Sequence, residues 1–278
     1  FKGYLSDLGG PSANMYKMSG KNSELCAKCS RYSCIHPSIC KNMNTDHSTL
    51  LQLYKKVDQL PKIKKSFIGS GIRYDLLLQE TADEKAKISQ KEYTQELVRN
   101  HVSGRLKVAP EHTSEGVLNI MRKPSFNLFY KFKKEFDSIN KECGLNQQLI
   151  PYFISSHPGC KEADMAELAC ITKNLDFKLE QIQDFTPTPM TLSTEIYYTG
   201  IHPYTLEKVW TPRSKEEKLN QRKFFFWYKK ENQQSIINDL RKIGRSDLIS
   251  QLFSSTSNKG REEKRNAPKN RQKRNRFR

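Results

Sequence analysis

Apolar positions along this chain follow two periods in turn. Short apolar runs bounded by Gly or Pro read as strands, and stretches with apolar residues three or four apart read as helices. Phe1 to Leu8 predicts a strand that enters the Gly9-Gly10-Pro11 turn. Lys65 to Gly69 predicts a second, Gly104 to Ala109 a third stopped by Pro110, Gln148 to Ser155 a fourth and Leu179 to Phe185 a fifth. Pro151 has no N–H for a ladder, so the fourth strand is expected at an edge or in irregular pairing. Between them, Asp46 is placed to cap a helix carrying Leu50, Leu51, Leu53, Tyr54, Val57 and Leu60. Residues 125–142 set Phe126, Phe129, Tyr130, Phe132, Phe136 and Ile139 near helical spacing before Gly144, a helix stop. Residues 162–175 repeat the pattern with Met165, Leu168, Ala169 and Leu175. Strand–helix–strand repetition predicts parallel strands with right-handed crossovers, and the Phe and Leu stripes are core.

After about Pro189 the pattern changes. Residues 214–252 read as short helices rich in Lys, Arg and aromatic residues, with no further βαβ unit. The predicted division is an α/β part over residues 1–189 with a Cys-rich insertion at 20–45, a helical C-terminal domain over 190–253, and a disordered basic tail over 254–278. The tail is expected to be dispensable for folding, because it holds too little apolar surface to offset the entropy of ordering. A chain opening inside a strand also reads as part of something longer.

Charge adds a candidate partner. The chain of 278 residues has 48 Lys and Arg against 30 Asp and Glu, a net charge of +18. Ten basic and two acidic residues fall within 259–278. RNA is therefore a candidate partner of the tail, against the plainer reading of a solvated arm. The aromatic stretch 211–230 reads either as a nucleic-acid surface or, by its helical spacing, as core. No apolar run reaches the roughly 18 residues of a membrane helix, so no membrane partner is expected. Seven cysteines, four of them between positions 26 and 40, do not suit a secreted disulfide scaffold, and the expected compartment is the reducing cytoplasm.

Three sets of residues carry candidate chemistry. Cys26, Cys29, Cys34 and Cys40 lie close enough for four thiolates to meet on one metal, either Zn²⁺ or an auxiliary iron–sulfur cluster, with disulfide or free thiols as the alternative. His36 and His47 are substitute ligands, and Cys143, Cys160 and Cys170 read as ordinary buried cysteines. Gly9 and Gly10 free backbone amides at a strand end. Polar residues recur after the other strands: Ser70, Arg73, Tyr74 and Asp75; Lys107, Glu111 and His112; Ser155, Ser156 and His157; Gln183 and Asp184. In parallel α/β folds those ends surround the ligand, although Asp75 and His112 also fit as helix caps.

Taken together, these segments resemble the YgiQ family of radical S-adenosylmethionine (SAM) proteins. The resemblance rests on Ser6 to Tyr16, Cys34-Ile35-His36-Pro37-Ser38-Ile39-Cys40, Gly69 to Leu76, Lys107 to Thr113, Ile150 to Gly159, Gln183 to Pro189 and Tyr197-Tyr198-Thr199-Gly200. It implies a partial, TIM-like (β/α) barrel of the radical SAM type, N-terminally truncated. A 4Fe–4S cluster binding SAM is implied too, with its ligands upstream of this chain, as is an electron donor such as flavodoxin or ferredoxin. Such a cluster cleaves SAM reductively to start radical chemistry, here on an unknown substrate. The resemblance implies that Gly9, Gly10, Ser70, Arg73, Lys107, Glu111, Ser155, His157 and Gln183 face SAM or substrate. The usual acidic residue after the glycines is Pro11 here, and no CxxxCxxC is present, so the chain alone is expected to be inactive. The competing reading is a non-enzymatic, metal-stabilised RNA-binding protein.

Overall fold

The structure is a computed structural model that describes residues 2–10, 12–179 and 182–254. Two expectations lie outside the described residues, the disordered tail from residue 255 onward and the replacement at Pro11. The elements run β1 (Gly3–Leu5), α1 (Ser23–Ala27), α2 (Ser48–Asp58), β2 (Ile63–Ser66), α3 (Tyr74–Leu77) and α4 (Glu84–Glu96), which widens into a π-helical turn (Leu97–His101). They continue with β3 (Arg105–Glu111), α5 (Glu115–Ile120), α6 (Phe126–Glu142), β4 (Gln148–Ser155), α7 (Glu162–Asn174) and β5 (Ile182–Asp184). The rest is helical: α8 (Leu192–Thr199), α9 (Lys215–Arg222), a 3₁₀ turn (Lys223–Phe226), α10 (Lys230–Lys242) and α11 (Asp247–Phe253).

All strand pairs are parallel, β1 with β2 and β3 with β4 and then β5. A parallel bridge from Ile72 to Val108 links the two small sheets. Sequence neighbours are thus spatial neighbours from β1 to β5. Doubly wound sheets reverse their strand order, and this one does not. No closed barrel is formed among the described residues.

Of two strand expectations, one is corrected and one narrowed. β3 continues through Pro110 to Glu111, and its register shifts between Val108 and Glu111, where the proline falls. β4 is the centre of its sheet and not an edge, so of the two expected alternatives the irregular pairing holds, with the β3–β4 register shifting just past Pro151. Pro151 is tolerated there because β5 begins to pair only at Phe153, so the ladder is still two-stranded at the proline.

The helices follow their apolar stripes. In α6, Phe126, Phe129, Phe132, Phe136 and Ile139 are buried, whereas Tyr130 is largely exposed. Ser125 Oγ accepts the Asn127 N–H at the N-terminus, and Gly144 adopts φ +62° after the C-terminus. In α2, Leu50, Leu51 and Tyr54 are buried but Leu60 is out in solvent beyond the helix. Asp46 lies one residue before the cap position and accepts the Ser48 N–H at 2.8 Å.

Residues 224, 225, 236, 240, 248 and 252 of the C-terminal helices join the same apolar core as the sheet. Phe224 and Phe225 are fully buried, so these aromatics of the 211–230 stretch serve packing. The 3₁₀ turn, α9 and α11 all pack on α7. None of the described helices is long and apolar enough to cross a membrane.

Candidate functional site

The parallel arrangement brings the loops after β1, β2, β3 and β4 to one end of the sheet. Asp7, which sequence reasoning missed, organises the first two. Its Oδ1 accepts the N–H groups of Gly9 (2.8 Å) and Gly69 (3.0 Å), and its Oδ2 accepts the Ser70 hydroxyl (2.7 Å). Partial burial pushes its carboxyl up, but the hydrogen bonds from Ser70, Gly9 and Gly69 outweigh this and hold it below the usual range. The signal in the sequence was a carboxylate two residues before a Gly pair, which can close an Asx turn. The Asp7 clasp explains why position 9 is glycine, since a Cβ there would sit 2.9 Å from Asp7 Oδ1 and from Ser70 Cβ and Oγ. At Gly10 a Cβ would meet nothing within 4 Å, which leaves that backbone open to a ligand.

Replacing Gly9 by Ala is therefore expected to force the turn open and cost about 1–3 kcal/mol, as overpacking does. Gly10→Ala, by contrast, should leave folding intact. Chemical denaturation of the two variants checks this, and equal midpoints would contradict the clasp.

Asn14 ties the same loops from beneath. It is fully buried, accepts the Arg73 N–H (2.8 Å) and donates to the Arg73 carbonyl (3.0 Å). Arg73 in turn grips Asp75 through both a 2.8 Å Nε–Oδ1 bond and a shorter contact from its second nitrogen to Oδ2. Desolvation opposes the guanidinium charge, yet the Asp75 partnership raises the Arg73 pKa overall. A cleft of about 160 Å³ opens above this pair, lined by Ser12, Arg73, Tyr74, Asp75, Glu111 and Lys123 among others.

Glu111 is the sharpest feature of the cleft. It sits at the end of β3 with φ +66°, and Ser156, just past the end of β4, has φ +61°. Two non-glycine residues in left-handed backbone at neighbouring strand ends store strain of the kind concentrated at binding sites. Glu111 Oε1 meets Lys123 Nζ at 3.0 Å, while its buried Oε2 has no hydrogen-bond partner. The Ser156 hydroxyl is likewise buried and unpartnered. Such orphaned groups are costly unless something fills them.

The other predicted positions divide. Lys107 is exposed, on the strand face opposite buried Leu106 and Val108. Gln183 accepts the Tyr152 hydroxyl on the same open side. Ser155 is buried and donates to Asp184 Oδ1 at 2.5 Å, and Asp184 also meets Arg222. His157 is buried with both ring nitrogens engaged, Nδ1 to the Pro158 carbonyl and Nε2 to Ser193 Oγ, each at 2.8 Å. His112 Nδ1 accepts the Ser114 N–H at 3.0 Å; it holds the residue at the N-cap of α5 and does not itself cap the helix. Buried Gln221, another residue that sequence reasoning missed, accepts the Ser156 N–H and donates to the Cys160 carbonyl, fastening the C-terminal helices to the end of β4.

The Cys-rich insertion is pinned at its base by an antiparallel bridge from Gly20 to Met43. Beyond the base, Cys26, Cys29 and Cys34 are exposed free thiols and Cys40 is half-buried. Cys26 Sγ accepts from Asn42, Cys29 Sγ from the Arg31 N–H, and the Cys40 N–H donates to the Cys34 carbonyl. The four sulfurs are not gathered at one point among the described residues. His47 is buried, with Nδ1 on the Thr45 carbonyl and Nε2 against Asn14. His36 lines a surface cleft beside Arg122 and Tyr204. Cys160 and Cys170 are buried as expected, but Cys143 is exposed at the C-terminal cap of α6.

Comparison with known proteins bears on residues throughout the chain. Residues 180–275 match a family described as Domain of unknown function (DUF3362). A UPF0313 protein of Bacteroides thetaiotaomicron is 67% identical over 253 residues, covering 91% of this chain and 41% of that protein. A UPF0313 protein of Porphyromonas gingivalis is 63% identical, covering 92% of this chain and 40% of the relative. One from Clostridium perfringens is 45% identical over 90% of this chain and 36% of its own length. The chain thus spans about two fifths of the length of the curated relatives it matches.

Proposed function

The chain belongs to the UPF0313 family, the YgiQ family, and from that premise we propose that it is the later part of a radical SAM enzyme. In this reading β1 to β5 are consecutive staves of a partial (β/α) barrel. The loops after β1 to β4 then line a site for SAM and an unknown substrate. The single observation that carries the proposal is the convergence at one sheet end of an open glycine backbone at Gly10, the Arg73–Asp75 pair and the unpartnered Glu111 Oε2. Ligands favour that end of parallel sheets, outside the carboxyl ends of the strands.

The residues divide by what each can do for SAM. Gly10 offers backbone at closest approach. Glu111, an acceptor at a buried site, suits an amino group or a ribose hydroxyl, and Lys123 beside it suits a carboxylate. Lys107, Tyr152 and Gln183 extend the polar face along the strands. Nothing in this chain matches a radical SAM cluster loop, so the proposal places the 4Fe–4S ligands in parts of the longer family proteins that this chain does not span. When bound, that cluster supplies the electron that cleaves SAM, and this chain's part is to hold and orient the ligand.

The test uses the full-length protein, reconstituted anaerobically with iron and sulfide. With a reductant it is expected to form 5′-deoxyadenosine from SAM. Glu111→Gln should weaken SAM binding by roughly tenfold or more, the loss expected when one charged hydrogen bond is removed. A reconstituted wild-type protein that neither binds nor consumes SAM would overturn the reading.

The proposal keeps Cys26, Cys29, Cys34 and Cys40 as ligands of one Zn²⁺ or an auxiliary iron–sulfur cluster. The loop that carries them is bridged at its base and held at its tip by Tyr32 stacked on Tyr204, while Cys26, Cys29 and Cys34 stay exposed, so the sulfurs can converge without moving the core. Elemental analysis of anaerobically purified protein should give close to one zinc, or several irons, for this stretch. Metal removal should raise its protease sensitivity while the sheet persists. Four freely titratable thiols in metal-free protein of unchanged protease resistance would exclude the site.

A further inference from the structure

Away from the strand ends, on the face where α2 meets the end of α4, three ligand-type side chains converge. They are Asp58 at the end of α2, Glu96 at the end of α4, and His101 at the end of the π-helical turn. His101 Nε2 lies 3.4 Å from Glu96 Oε1 and 3.8 Å from Asp58 Oδ2. The three ligand atoms all fall within 4.8 Å of one another.

The π turn is what makes this possible. In an α-helix, residues five apart differ by about 140° around the axis and cannot share a face. The wider π turn brings positions 96 and 101 round to the same side, and π turns are frequent at functional sites.

Hydrogen bonding places a proton on Nδ1 of His101. The Ser66 hydroxyl donates its proton to Asp58 Oδ1 at 2.6 Å. It therefore meets His101 Nδ1, 3.2 Å away, as an acceptor, and the Ser66 carbonyl accepts at 3.1 Å as well. Nδ1 thus carries a proton, and Nε2, 99% buried with the rest of the ring and without a hydrogen-bond partner, lies beside two carboxylates. Two carboxylate oxygens and a buried ring nitrogen at one point need a cation, either a metal ion on the Nε2 lone pair or a proton on Nε2 itself.

We propose that Asp58, Glu96 and His101 form a site for one divalent cation of the Zn²⁺ type, which ties α2, the π turn and β2 together. Ligand atoms about 2.1 Å from a tetrahedral Zn²⁺ lie about 3.4 Å apart, so the two separations from His101 Nε2, 3.4 and 3.8 Å, already match or nearly match, and the two carboxylates, within 4.8 Å of each other, draw together on the ion. One imidazole and two carboxylates suit zinc, and a fourth position stays open to water. The surrounding contacts are those expected around metal ligands. Ser66 holds the far nitrogen of His101, Asn100 Nδ2 donates to Glu96 Oε1 at 2.9 Å, and the Tyr54 ring packs 4.7 Å from the imidazole. The Asp58 and Glu96 side chains are about a third exposed, at 36% and 28%, which gives an ion a way in.

Cobalt reports on the site separately from the cysteines. Co²⁺ occupies zinc sites and shows visible d–d bands, and thiolate ligation adds a sulfur-to-metal charge-transfer band that oxygen and nitrogen ligands lack. Titration of the full chain with Co²⁺ should give one equivalent of d–d absorption free of that band. Glu96→Gln and Asp58→Asn, nearly isosteric changes on partly exposed side chains, should each weaken this component at least tenfold while circular dichroism stays native. Bound Co²⁺ should also raise the melting temperature of the wild type but not of the variants. Identical titrations for wild type and both variants, or absorption that is entirely thiolate-bound, would overturn the proposal and leave a proton on Nε2 as the cation.

Discussion

Lowering the pH from about 7.5 to about 4.5 is expected to destabilise this protein by several kcal/mol, through three histidines buried in the neutral form. Burial lowers the pKa of His47, His112 and His157 to about 4 each, from an ordinary value near 6.5. Opposing influences are weaker: the Thr45 carbonyl and Asp46 on His47, Asp164 on His112, and the Pro158 carbonyl on His157. With the folded pKa depressed, the unfolded chain takes up protons first. The stability is thus fully present above pH 6.5 and drains as pH falls toward 4. Each histidine contributes a slope of at most about 1.4 kcal/mol per pH unit in that window. Staying above about pH 4.5 keeps Asp7 and Asp46 ionised, because both carboxyls lie below the usual range. Denaturant midpoints across this window provide the measurement. A flat profile would mean that none of the three rings is held neutral by the fold.

Phe225→Ala should cost about 3–5 kcal/mol, the range for a fully buried phenylalanine. The consequence goes beyond local packing. Phe224 and Phe225 share one core with Leu106, Phe129 and Phe153, so the sheet should melt with the C-terminal helices in a single shifted transition. Two transitions, with the sheet unmoved, would show that the helical region folds on its own. A variant of native stability that had lost affinity for RNA would instead restore the nucleic-acid reading of residues 211–230.

The local features came through in the sequence because each rests on neighbours along the chain. Five parallel strands, the Phe stripe of α6 and the Ser125 and Gly144 boundaries follow from period, capping and turn chemistry. Boundaries failed at prolines. Pro110 and Pro151 are legible as strand-breakers, and whether they break anything depends on which neighbour needs the missing N–H. That depends on where β5 starts, a fact about a strand thirty residues away.

The candidate site was half legible. Polar residues after each strand could be picked out, but not their division between ligand face and scaffold. His157 and Ser155 look alike in sequence to Glu111, yet their polar atoms are satisfied by Ser193 and Asp184 whereas Glu111 Oε2 is left over. Gln221 escaped notice because nothing local marks a residue whose partner is 65 positions away, and the local Asx-turn signal at Asp7 gives no hint of its second role, on Gly69, 62 positions away.

The sequence by itself determined the class of fold, the parallel alternation of strand and helix, the family resemblance and the residues able to carry chemistry. These depend on side-chain type and short-range spacing, where propensity and hydrophobic period act directly. Only the tertiary structure decided which polar atoms are left unpaired, which histidines are buried neutral, and that Asp58, Glu96 and His101 meet at all. Those outcomes follow from burial and from distances between segments far apart in the chain. The one-residue widening of a helix that turns His101 toward Glu96 leaves no mark in composition or pattern.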